Sequence, residues 1–168
     1  MDSVLAALAL AGFVLAHAMD VLSQPQAPDL MPVAFIARGE DQRFITFEGT
    51  NLEEMVERGK RELAGGQYDA WALAYEGFVV IQEEKRSAVF VHSWRRGLDS
   101  PVVIAQAWVR AENSTSAEFL GPAVLLTEAS APKAAQRTTA DPVNLNQQQI
   151  RALAAGIEQY RKLSEKIP

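Results

Sequence analysis

The sequence predicts an α+β fold, a single domain built on a mainly antiparallel sheet of about five or six strands covered by three helices. Three observations predict it. Apolar residues alternate at strand spacing through successive hairpins between positions 33 and 126. Helical periodicity marks three separate segments, at the start, the middle and the end of the chain. The length of 168 residues suits one domain with a substantial core, read here as 1–168 with loops at 24–32 and 127–143.

The first element is a helix over residues 2–23, with Asp2 or Ser3 as its cap and alanine and leucine through its interior. Leu5, Leu8, Gly12, Leu15, Met19 and Leu22 form one apolar stripe, and Val4, Ala7, Ala11, Val14, Ala18 and Val21 form another beside it. A helix apolar around most of its girth is buried on more than one side. Gly12 among alanines would permit close approach of a second helix. Residues 4–16 are uninterruptedly apolar and Ala16-His17-Ala18 has a small-x-small pattern, so a signal peptide is one alternative. Acidic Asp2 opposes it. A membrane span needs roughly 18 apolar residues, and His17 and Asp20 interrupt before that. An interfacial anchor is the third reading. The buried structural helix is the one expected.

Residues 33–37 and 43–48 read as a hairpin about Gly39-Glu40-Asp41. Thr50-Asn51-Leu52-Glu53 matches a capping box and opens a helix over 51–64, with Leu52, Met55, Val56 and Leu63 inward and Gly65-Gly66 as its stop. Three strands follow, at 71–82, 87–94 and 102–111. A turn centred on Glu84-Lys85 would pair Val79 with Phe90 and Tyr75 with Trp94, and a return near 97–101 would set Ile104 beside His92. This register sorts the sheet into two faces. One carries Ala74, Glu76, Phe78, Val80, Val89, Val91, Val103, Ala105, Ala107 and Val109. The other is aromatic, with Leu73, Tyr75, Val79, Ile81, Phe90, His92, Trp94, Ile104, Gln106 and Trp108. Asn113-Ser114-Thr115 is a formal glycosylation sequon. Residues 118–126 form a further strand interrupted at Gly121-Pro122, which confines it to an edge or a bulge. Asn144 or Asn146 caps a last helix reaching Glu165, striped by Ile150, Leu153, Ile157, Tyr160 and Leu163.

This order of elements is similar to the roadblock and profilin-like scaffolds, which run helix, two strands, helix, three strands, helix. In size, charge and mixed topology the chain is also similar to the small acidic secretion chaperones. These similarities rest on element order and composition.

Composition narrows the function classes. Hydrophobic content of 48% and charged content of 22% are ordinary for a soluble globular chain. A net charge of −5, with basic residues in ones and twos, disfavours nucleic acid and anionic membranes as partners. The absence of cysteine excludes disulfides, thiol catalysis and cysteine-ligated metal, and it suits a reducing, cytoplasmic location.

His92 is the strongest general-base candidate, because imidazole titrates near neutral pH. Its neighbours in the register supply no orienting carboxylate and no nucleophile, so no catalytic residue is assigned. Asp69, Glu83 and Lys85 superficially match a nuclease pattern, but the expected turn separates them. With only His17 and His92 on different elements, no metal and no cofactor are expected. Tyr75, His92, Trp94, Gln106 and Trp108 are the candidate ligand-binding set. Arg95 and Arg96 are a candidate anion grip. Excess apolar surface favours a non-enzymatic binding or assembly module, meeting a second copy or another protein. The alternative is a small-ligand binder or enzyme with a pocket around His92, between the aromatic face and the N-terminal helix.

Overall fold

The computed structural model describes residues 2–24, 30–110, 112, 116–126, 137–138 and 143–166. The sequon and most of the expected 127–143 loop lie outside the described residues. Among the described residues, three helices and nine strands follow the order α1 (Ser3–Leu22), β1 (Val33–Arg38), β2 (Asp41–Thr46), α2 (Leu52–Gly65), β3 (Ala70–Ile81), β4 (Glu84–Arg95), β5 (Val102–Arg110), β6 (Ala117–Phe119), β7 (Val124–Leu126), β8 (Arg137–Thr138), β9 (Val143–Asn144) and α3 (Gln147–Glu165). The fold is α+β. The strand count exceeds the expected five or six because the 118–126 segment splits in two and short pieces pair within 127–144.

Sheet order is β2-β1-β3-β4-β5-β7-β9, with β6 also on β5 and β8 also on β3. All pairings are antiparallel except β8 on β3. The β3–β4 hairpin turns at Gln82 and Glu83, both at positive φ, so Ile81 pairs with Glu84 and Tyr75 with Phe90. The sequence placed this turn two residues later. That error moves the register by four, an even number, and leaves the faces of β3 and β4 as expected. On β5 the error is odd. Ile104 pairs with Val91 rather than His92, so every β5 side chain lies on the face opposite to the one expected.

The physical reason is volume. On one face Phe90 of β4 stands opposite Ala105 of β5, in a cluster that also holds Trp71, Tyr75, Ala88 and Ala107; on the other Val91 stands opposite Ile104, in a cluster that also holds Ala72, Ala74 and Trp108. Across β4–β5 the bulk of Phe90 is matched by the small Ala105, in keeping with uniform interior density. The expected register instead places Ile104, Gln106 and Trp108 on the face of Tyr75, Phe90 and Trp94.

Helix α1 covers the Ala72/Val91/Trp108 face, and α3 packs on the outside of α1. The apolar girth of α1 is thereby accounted for, since Ala7, Leu8, Ala11, Val14, Leu15 and Ala18 are all fully buried. By length and composition α1 is also a helix capable of crossing a membrane, although 61% of its most apolar window is buried inside the domain. Two glycines set the α1–α3 crossing. A Cβ at Gly12 would run into the Leu153 backbone, and one at Gly156 into the Ala9 backbone. Asp2 caps α1 by accepting from Val4 N at 2.8 Å, and at the other end Arg110 donates to Leu22 O at 2.6 Å. The α3 cap is a reciprocal box between Asn146 and Gln149.

The shorter α2 covers the opposite face, around Val56 and Leu63. Its cap lies one residue beyond the expected Thr50–Glu53 box. Asn51 accepts from Glu54 N at 2.8 Å, and Glu54 reaches back to Thr50 N and Oγ1 at 3.2 and 2.5 Å. Asparagine is the stronger N-cap, which explains the shift. These Thr50 hydrogen bonds hold the Glu54 carboxyl below its ordinary pKa, the hydroxyl contributing most.

Candidate functional site

Strand alternation projects Trp71, Leu73 and Tyr75 from β3 and Phe90, His92 and Trp94 from β4 onto one face, where they stand opposite one another in pairs. At 14 residues, α2 is too short to cover the whole face. What it leaves is a cleft of about 500 Å3, open to solvent, between the end of α2, the Trp71–Trp94 end of the sheet and the β4–β5 loop. This volume lies within the roughly 300–1,000 Å3 of small-molecule sites.

The cleft has an aromatic wall, a polar floor and a charged rim. Trp71 and Trp94 stack with centroids 6.5 Å apart at 22°, and the Trp94 indole N–H donates to Leu98 O at 2.9 Å. That bond fixes the indole and ties the β4–β5 loop to the wall. His92 forms the floor, and behind it, off the lining, its Nε2 shares a 2.7 Å hydrogen bond with the Tyr75 hydroxyl, Tyr75 being stacked on Phe90 at 5.7 Å. His92 is 1% exposed, yet it lines the cleft. Lys60 and Arg61 of α2 stand on one rim and Asp99 of the β4–β5 loop on the lining with them. The Lys60 ammonium lies 5.6 Å from the Tyr75 ring centroid and 3.8 Å from the Glu57 carboxylate.

The expected ligand-binding set is therefore divided. Tyr75, His92 and Trp94 come together, whereas Gln106 and Trp108 lie on the α1 side of the sheet. The Gln106 amide donates to both Ala107 O and Gly121 O at 2.9 Å, bridging the break between β6 and β7. Trp108 is core beneath α1, its buried indole N–H without a hydrogen-bond partner among the described residues. The helix over the aromatic face is α2, not the N-terminal helix, which corrects the expected position of the pocket. Of the expected anion grip, Arg96 is bound to Asp69 at 2.8 Å, and Arg95 is exposed.

Among the described residues, the cleft brings together no hydrolytic constellation. Ser93 turns to the other face and donates to Ala7 O at 2.7 Å, and Glu76 accepts there from Leu30 N at 2.8 Å. Asp69 is bound to Gly39 N and Arg96, at the opposite end of the β3–β4 hairpin from Glu83 and Lys85. Among the described residues no group of three or more His, Asp or Glu is placed to hold a metal.

Lys60, Arg61 and Trp71 were missed in the sequence. Lys60 had a legible signal, because it falls on the inward stripe between Val56 and Leu63, where a lysine must bring its charge to the helix–sheet seam. The other histidine forms a second aromatic cluster. His17 stacks on Phe44 at 4.0 Å, and its Nδ1 lies 3.1 Å from the Tyr160 hydroxyl. Burial lowers the His17 pKa against a smaller opposing effect of Asp20, and burial pushes Tyr160 up to about 12.

No family model matches the chain, and no match is found among curated proteins or solved structures.

Proposed function

We propose that this domain is a non-enzymatic binding module whose ligand is a small, largely apolar molecule held in the cleft beneath α2. The observation that carries this reading is the cleft itself: two stacked indoles for a wall and His92, held from behind by Tyr75, for a floor, at a volume suited to a small molecule. A mostly apolar pocket with a few convergent polar groups is the usual form of a binding site.

Self-association is the second reading, and α3 favours it by leaving Ile150 49% and Leu163 46% exposed. These two side chains are 13 positions apart, roughly 20 Å along a helix, so they do not form one patch. Within the subunit α1 is covered by α3 and the sheet, and the aromatic face is covered in part by α2.

Native mass spectrometry of the untagged, gently purified chain separates the two readings. The ligand reading expects a monomer with a reproducible small-molecule adduct that is lost on Trp94→Leu substitution. A bare dimer or higher oligomer would refute it in favour of assembly.

A further inference from the structure

We infer that the cleft selects an organic anion with a flat unsaturated body, its carboxylate met by Lys60 and Arg61 and its body laid along Trp71 and Trp94. The inference rests on the small-ligand reading and adds the charge and shape of the ligand.

The charge argument starts from contrast. The chain as a whole carries −5, yet the ionisable residues lining this cleft besides His92 are two cations, Lys60 and Arg61, and one acid, Asp99. Among the described residues no carboxylate lies within 4.0 Å of the Arg61 guanidinium. Lys60 has Glu57 at 3.8 Å, a long i,i+3 pair with which an incoming carboxylate would compete for the ammonium. Lys60 is also half-buried above Tyr75, where reduced water access strengthens its attraction for an anion. Asp99 of the β4–β5 loop is the one acid on the lining, and it offsets one of the two cations.

The shape argument rests on the wall. Trp71 and Trp94 are near-parallel, and Trp94 is anchored through Leu98, so the wall is pre-organised for offset stacking. Ala64, Gly66 and Pro101 complete the lining with small or apolar groups. A flat body loses little rotamer freedom in such a slot.

The test titrates the full chain with 2-naphthoate and with its neutral counterpart 2-naphthamide, by calorimetry and tryptophan fluorescence. The expected result is 2-naphthoate binding about tenfold or more tightly than the amide, with the difference shrinking in about 0.5 M salt. Replacing Lys60→Met and Arg61→Met together should abolish the preference for 2-naphthoate over the amide. Trp94→Leu should weaken both probes. Equal binding of the two probes to the native chain, or a preference that survives loss of both cations, would overturn the anion inference while leaving the small-ligand reading intact. Binding of neither probe at millimolar concentration would overturn both. Lys60 and Arg61 are partly or fully exposed, and an unchanged melting temperature of the double variant verifies that the fold is retained.

Discussion

Replacing Gly156 by alanine tests how the domain buries its most apolar helix. A Cβ there would stand 2.7 Å from the Ala9 carbonyl carbon and 2.9 Å from the Phe13 nitrogen, with the Ala9 oxygen nearer still. Contacts of this kind settle at about 3.5–4.0 Å, so α3 would have to retreat by more than about 1 Å, the Ala9 oxygen setting the displacement. Both obstructing groups are backbone, which cannot rotate away. The retreat would loosen Leu153, Ile157 and Tyr160 from α1, and a gap of that size forfeits about half or more of each dispersion contact. Overpacking of this sort costs about 1–3 kcal/mol. The helix-propensity gain of alanine over glycine, about 1 kcal/mol, works in the opposite direction but does not cancel the upper part of that range. Gly65 provides the control. It ends α2 with nothing within 4 Å of its would-be Cβ, so Gly65→Ala should stabilise by about 0.5–1 kcal/mol. Since 1 kcal/mol moves the melting temperature by about 2–4 °C in a chain of this size, thermal and urea melts should show Gly156→Ala lower by several degrees and Gly65→Ala slightly higher. Adding Gly12→Ala to Gly156→Ala should cost less than the sum, because one outward displacement of α3 relieves both clashes. A Gly156→Ala protein melting at or above the native chain would refute the close-crossing argument.

Three further outcomes are expected. Gln82→Asn with Glu83→Gly should stabilise the β3–β4 hairpin by about 1 kcal/mol, since both native residues sit at positive φ, where asparagine and glycine are at ease; an unchanged urea midpoint would contradict this. Gln106→Ala should destabilise by about 1–3 kcal/mol through loss of the two carbonyl contacts at 2.9 Å, and hydrogen exchange should quicken first at Leu120, whose N–H bonds Ala107 O across the same break. For His17 the folded pKa lies below the ordinary 6.5, so between the two values the unfolded chain binds the extra proton, and stability falls as pH drops from about 6.5 toward the folded value. His17→Phe keeps the stack on Phe44 but removes the proton, so its melting temperature should vary less between pH 7.5 and 5 than that of the native chain; equal variation would remove His17 as a source.

What the sequence determined by itself was local. The periodicity of α1, α2 and α3, the N-cap of α3 and the alternation along β3 and β4 were legible because each depends on residues a few positions apart. The doubly buried state of α1 was legible too, since an apolar girth leaves no solvated side. Tertiary structure alone decided which face of β5 points where. A shift of one residue in the β4–β5 connection exchanges Gln106 and Trp108 with Ala105 and Ala107, and nothing within β5 distinguishes the two choices. The choice is made across the sheet, where Phe90 takes the small Ala105 as its β5 neighbour and Ile104 falls beside Val91 under α1. The cleft was hidden for the same reason. Its wall and floor come from β3 and β4, but Lys60, Arg61 and Asp99 reach it from α2 and a loop, and only packing determines how far a 14-residue helix covers two 12-residue strands.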